Sequence, residues 1–135
     1  MTEYLRYPIP ALQEYVTRFF VQLGVPPADA GIAADVLVAA DVRGVESHGV
    51  IRLNTYYGSR LRKGVMSPVT VISTVNETAT TLALDAGNGL GQVAAFHAMN
   101  RCLVKAAESG VAMVTVRNSN HYGIAGYYAM MALPH

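Results

Sequence analysis

"SPVTVISTVNETATTLALDAG" (residues 67–87) decides the fold. Before it, apolar residues recur at three- and four-residue steps. Within it they alternate, and β-branched residues dominate, which is the composition of strands rather than helices. Ser67-Pro68 opens the run and Gly87 closes it. A turn near Asn76-Glu77 divides it into two strands that form a hairpin. The chain therefore begins as helices and becomes a sheet.

Working back from Ser67, three helices are expected. In "PALQEYVTRFFVQLG" (residues 10–24), Leu12, Tyr15, Val16, Phe19, Phe20 and Leu23 share one face. Pro10 suits the start and Gly24 the stop. Pro26-Pro27 breaks the chain. A second, alanine-rich helix then runs from about Ala28 to Gly44, and its small side chains allow close neighbours. A third is expected from about Ser47 to Leu61, with Ser47 as its N-cap and Gly64 closing it. Short helices on small loops make a compact bundle.

Working forward, "LGQVAAFHAMNRCLVKAAESG" (residues 90–110) reads as a long amphipathic helix stopped by Gly110. "VAMVTVR" (residues 111–117) reads as a buried strand of the continuous apolar kind. A loop, "NSNHY", precedes a last helix in "GIAGYYAMMAL", which Pro134 interrupts. The fold class is α+β: a three-helix bundle over residues 1–66, then the beginning of an α/β domain, β-β-α-β-α, over residues 67–135. Three strands under one helix leave one sheet face and an edge open.

The 135 residues are 52% hydrophobic and 14% charged, more apolar than an ordinary soluble domain. Such a chain calls for a partner or a further segment to cover the excess. A net charge of +1, without any basic run, gives no electrostatic case for nucleic acid or an anionic membrane. No apolar run reaches the roughly 18 residues of a membrane span. The early Glu3 argues against a signal peptide. The single cysteine, Cys102, excludes an internal disulfide and reads as a buried, inert thiol. These features read as a cytoplasmic protein. The "NET" acceptor at residues 76–78 has no meaning in that compartment.

Three constellations could carry chemistry. His48, Arg52 and Tyr56 are spaced i, i+4, i+8, which puts them on one stripe of a helix opposite Val50, Ile51 and Leu53. The stripe is either a receiver for a small anion, with arginine forking a carboxylate, or a solvated polar face. His121 lies on a loop at a strand's C-terminal end, where α/β folds place their sites, flanked by Asn118, Ser119, Asn120, Gly123 and Gly126. It is either a proton handler or a loop histidine facing water.

The third constellation is "LDAGNGLGQVAAF" (residues 84–96). It follows a strand and opens a helix, as a dinucleotide fingerprint does, but Gln92 stands where the third glycine should be. Arg117 stands where an acidic ribose ligand is expected. It reads as a glycine-rich turn. His97 reads as structural. His48 and His121 lack neighbouring ligands for zinc, so no metal is expected.

"DVRGVESHGVIRL" (residues 41–53) and "VRNSNHYGIAGYYA" (residues 116–129), with "GNGLGQVAAFHAM" (residues 87–99) between them, resemble the malate/L-lactate dehydrogenase family of the non-Rossmann type. Ureidoglycolate and sulfolactate dehydrogenases and piperideine-carboxylate reductases belong to it. The resemblance covers essentially the whole chain. It implies hydride transfer between NAD or NADP and a 2-hydroxy or 2-oxo acid. His121 is implied as the proton donor and acceptor. Arg52 is implied to hold the substrate carboxylate, with Ser47 and His48 beside the reacting centre; Tyr56 matches a tyrosine common one turn further on. It also implies an unusual α/β cofactor domain and a homodimer. Family members run to well over twice this length, so the chain is expected to be the N-terminal part of such an enzyme; the alternative is a non-catalytic truncated fragment, or one chain of a split enzyme that needs a complementary C-terminal chain for activity.

Overall fold

The computed structural model describes residues 6–135. The reading of Glu3 lies outside the described residues. α1 (Ile9–Gln22) carries Pro10 in its first turn and ends before Gly24, whose φ of +87° suits only glycine well. Val16 and Phe20 are fully buried, and Phe19 and Leu23 pack beside them. Tyr15, expected on the same face, is 61% exposed, on a flank that no other element among the described residues covers. α2 (Pro27–Val42) is the central helix. It packs against α1, α4 and α5, so apolar residues surround it and alanine brings its neighbours close.

The third helix is not continuous, and this corrects the stripe drawn on it. Glu46–His48 form one 3-10 turn, Leu53–Gly58 a π-helix, and α3 (Ser59–Arg62) a single α turn. Gly49 is extended and breaks the chain after His48. A Cβ at Gly49 would lie 1.8 Å from Asp41 Oδ1, so only glycine lets the loop close onto α2. Ser47 is not an N-cap, because it sits inside the 3-10 turn, whose preceding residue is Val45. Of the supposed apolar side, Leu53 is buried and Val50 half-buried, but Ile51 is exposed.

The sheet has the order β1-β2-β3. β1 (Ser73–Glu77) is antiparallel to β2 (Thr81–Gly89), with a bulge between Thr74 and Asn76. The turn lies at residues 78–80, beyond Asn76-Glu77. Asn76 and Glu77 still pair with Ala83 and Leu82, while the Thr78 and Thr81 hydroxyls meet at 2.7 Å and close the turn. β3 (Met113–Ser119) runs parallel to β2. It is an edge strand rather than a buried one, since β2 is its sole partner among the described residues. Val114 and Val116 are half-buried beneath α4, whereas Met113 is 60% exposed.

α4 (Gly91–Ser109) covers β2 and β3 and stops at Gly110, whose φ is +79°. Leu82, Leu84 and Ala98 form the core under it. Its first turn does more: Leu90 and Val93 join the core of the helical half, together with Phe20, Leu37, Leu53 and Tyr57. The start of α4 is thus the junction of helices and sheet. His97, expected to be structural, is exposed on α4. Cys102 is half-buried rather than buried, its Sγ 3.6 Å from the Ala112 carbonyl, because the edge strand covers it incompletely. α5 (Ala125–Met130) ends the fold. No helix among the described residues is long and apolar enough to cross a membrane.

Candidate active site

The glycine-rich turn opening α4 builds one wall. Gly87 (φ +56°) and Asn88 (φ +59°) turn the chain out of β2. A Cβ at Gly89 would lie 2.6 Å from Thr70 Cα. At Gly91 it would lie 2.1 Å from the Asn120 carbonyl oxygen and 2.5 Å from that of His121. These glycines admit the chain's own backbone. Asn120 Nδ2 fastens the contact, donating to the carbonyls of Asn88 at 3.1 Å and Gly89 at 2.9 Å. The loop carrying His121 is therefore clamped to the first turn of α4.

Asp85 fixes the other end of that loop. Its carboxylate accepts the Gly87 N–H at 2.9 Å, Asn118 Nδ2 at 3.1 Å and Arg117 Nε at 2.9 Å. These donors, the Gly87 N–H foremost, hold the Asp85 carboxyl below the usual carboxylate range. Arg117 is thereby paired on the surface. Gly123, with φ +82°, returns the chain toward α5, and a Cβ there would lie 2.4 Å from Val36 Cγ1. Its backbone N–H points at His121 Nδ1 over 3.1 Å.

The broken third helix supplies the facing wall. Asp41, on α2, accepts the Val50 N–H at 2.8 Å and holds the Ser47–His48 turn in place. Burial pushes the Asp41 carboxyl up; the Val50 N–H opposes this and Glu46 adds to it. Ser47 Oγ meets His48 Nδ1 at 2.9 Å, and Arg52 Nε donates to the Ser47 carbonyl at 2.7 Å. With Nε so tied, the two Nη groups of Arg52 have no hydrogen-bond partner among the described residues. The Arg60 guanidinium stacks on the Tyr56 ring at 4.4 Å. In the π-helix each turn is wider than in an α-helix, so consecutive side chains stand closer to one side. Tyr56 and Tyr57 both reach the same histidine.

That histidine is His121. The rings of His48 and Tyr56 each lie 5.3 Å from its own, and Tyr57 Oη is 2.7 Å from its Nδ1. All five residues singled out in the sequence, His121, His48, Tyr56, Ser47 and Arg52, are thus linked by ring contacts or hydrogen bonds, although the continuous stripe does not exist. Arg52, tied to Ser47, also lies close enough to lower the proton affinity of His121. Burial is the largest cause of that lowering, with His48 and Arg52 adding to it. Tyr57 and Asp41 were not legible as site residues. Tyr57 falls on the Leu53–Tyr57–Leu61 apolar stripe, all buried, so periodicity files it as core. Among the described residues no cluster of three metal-ligating side chains forms.

Comparison with known proteins gives the same result as the motifs. Residues 7–135 match the family model for malate/L-lactate dehydrogenase. The malate dehydrogenase of Pyrococcus horikoshii is 46% identical over 130 residues, covering 96% of this chain and 36% of that protein. The L-sulfolactate dehydrogenase of Methanocaldococcus jannaschii is 44% identical over 112 residues, covering 83% of this chain and 32% of that one. The crystal structure of malate dehydrogenase from Entamoeba histolytica superposes with a TM-score of 0.93 at 38% identity, over 96% of this chain and 36% of that one. The chain thus spans about a third of the length of the curated relatives it matches. On its sequence and its fold, the chain belongs to the malate/L-lactate dehydrogenase family.

Proposed function

We propose that this chain supplies the proton-handling and carboxylate-holding side of an oxidoreductase that interconverts a 2-hydroxy acid and its 2-oxo acid. The observation that carries the reading is the convergence of the Ser47–Tyr57 segment on His121, with Tyr57 Oη 2.7 Å from Nδ1 and the His48 ring 5.3 Å from the imidazole. Hydride arriving at a carbonyl carbon leaves charge on the oxygen. An acid placed beside that oxygen relieves it, typically by about 10²–10⁴-fold in rate. His121 is the residue assigned to that role, with His48 beside the reacting centre. Arg52 holds the substrate carboxylate with its Nη groups, steadied by Ser47, and Tyr56 stands beside His121 at 5.3 Å.

NAD or NADP as the hydride source belongs to the same proposal. The glycine turn before α4 does not fit a cofactor pyrophosphate, since the positions its glycines leave open are filled by Thr70, Asn120 and His121. Arg117 is occupied by Asp85 at 2.9 Å and does not offer itself to a ribose phosphate. The division into residues 1–66 and 67–135, a homodimer and a cytoplasmic location are further parts of this reading. Because the chain spans about a third of its relatives, we also propose that turnover needs a complementary C-terminal portion, as a longer chain or a second one.

The test is NAD(P)H oxidation with a panel of 2-oxo acids, by this chain alone and joined to the C-terminal two-thirds of a relative. In the joined form, His121→Ala is expected to remove most turnover, while Arg52→Ala chiefly raises KM for the 2-oxo acid. Near-normal kinetics in both variants would refute the assignment.

A further inference from the structure

His121 Nδ1 has two hydrogen-bonding partners, the Gly123 N–H and the Tyr57 hydroxyl, and a single lone pair. Gly123 contributes a backbone N–H at 3.1 Å, fixed in direction by its left-handed φ of +82°. A backbone amide can only donate, so in the neutral ring Nδ1 carries no proton and Nε2 carries one. Tyr57 contributes its hydroxyl at 2.7 Å. Tyr57 is fully buried, and His121 Nδ1 is its sole hydrogen-bond partner among the described residues. Its phenol is held far above the usual tyrosine range, chiefly by burial, so it remains protonated. Unlike the amide, a hydroxyl can turn and accept.

That difference matters for any proton cycle. To give a proton from Nε2 and remain neutral, the ring must first be an imidazolium with Nδ1 also protonated. The Nε2–H bond then breaks, the proton goes to the oxygen acceptor, and the ring is left as the Nδ1–H tautomer. Both working forms place a proton on Nδ1, facing the Gly123 N–H. They are viable only where something accepts from Nδ1, and Tyr57 Oη is the acceptor within reach. His48, Arg52 and Tyr56 also face this ring, and none of them is hydrogen-bonded to Nδ1.

We propose that Tyr57 is a positioning residue for His121: its buried hydroxyl reverses from donor to acceptor as Nδ1 gains a proton, so that Nε2 is the nitrogen that exchanges protons with a ligand. This rests on reading His121 as the proton carrier of the site.

The experiment is a pH titration of the imidazole nitrogens by ¹⁵N NMR, on this chain without substrate or cofactor. At high pH the wild-type ring is expected as the Nε2–H tautomer. Tyr57→Phe keeps the ring in the core and removes only the oxygen. It is expected to move the His121 midpoint down by about one pH unit, the size of a lost charge-assisted hydrogen bond. Tyr56→Phe is expected to leave it in place. An Nδ1–H tautomer in the wild type overturns the proposal whether or not the variants fold. An unchanged or raised midpoint in folded Tyr57→Phe does so too, as does an equal fall in Tyr56→Phe, which would mark loosened packing rather than a lost acceptor. Kinetics of His121→Ala fail independently of these signals, so failure of the functional reading is distinguishable from failure of this one.

Discussion

Asp41 Oδ2 accepts the Val50 N–H over 2.8 Å, and that bond ties the Ser47–His48 turn to the central helix α2. The contact is close enough that Gly49 has no room for a side chain. Asp41 is thus the support of the turn that brings the His48 ring to 5.3 Å from that of His121.

Removing it has a defined cost. Asp41→Ala takes away a hydrogen bond to a charged acceptor and is expected to destabilise the chain by about 1–2 kcal/mol. Asp41→Asn keeps an acceptor oxygen and is expected to lose less. Urea denaturation of both checks this, and equal losses would show that the acceptor does not matter.

Gly91→Ala separates two effects of opposite sign. Alanine favours a helix over glycine by about 1 kcal/mol. The new Cβ, however, would sit 2.1 Å from the Asn120 carbonyl oxygen, against backbone that Asn120 and Gly123 hold rigid. Overpacking of this kind typically costs about 1–3 kcal/mol, so a net loss is expected. A rise in Tm would mean that the loop is not clamped to α4 at all.

The same contrast explains what the sequence could and could not show. Helices α1, α2 and α4 were legible because a glycine stops each of them, prolines start α1 and α2, and α1 and α4 carry a 3.6-residue apolar face. The sheet was legible from its β-branched alternation, while β3 was misjudged because an apolar run does not say how many neighbours a strand has. The third helix failed for a tertiary reason: Asp41 captures the Val50 N–H that a continuous helix would have used. His121, His48 and Arg52 were legible as chemistry-bearing residue types in suggestive places. Tyr57 was not, since a buried tyrosine on an apolar stripe looks like core until its hydroxyl is seen to have one partner.

His121 also predicts how stability depends on pH. Its proton affinity is lowered in the folded chain by burial and by His48 and Arg52. The unfolded chain therefore binds the proton more readily, and acid favours unfolding. The stabilisation is fully present above the ordinary histidine pKa of about 6.5 and is lost as pH falls through the lower folded value. The carboxyls of Asp85 and Glu77 are also held low, but they act in the carboxylate range, at more acid pH. Chemical denaturation at steps between pH 7.5 and about 5 is expected to show falling stability in the wild type and a flatter profile in His121→Gln. Parallel profiles would remove His121 as the cause.

An anion should reverse part of that lowering. Arg52 depresses the proton affinity of His121 through space, and its Nη groups are the carboxylate receiver in the proposed function. A dicarboxylate bound there neutralises the guanidinium and adds negative charge near the imidazole, and both changes favour the imidazolium. Malonate, which has no carbonyl or hydroxyl to react, is the suitable probe. Its addition is expected to raise the His121 midpoint in the NMR titration of the wild-type chain and to leave it unmoved in Arg52→Ala. The effect should persist at 0.3 M salt, where exposed charges are screened over a few ångströms, because a bound anion acts at contact distance. A shift of equal size with chloride at matched ionic strength would reduce it to screening and leave Arg52 without a ligand-holding role.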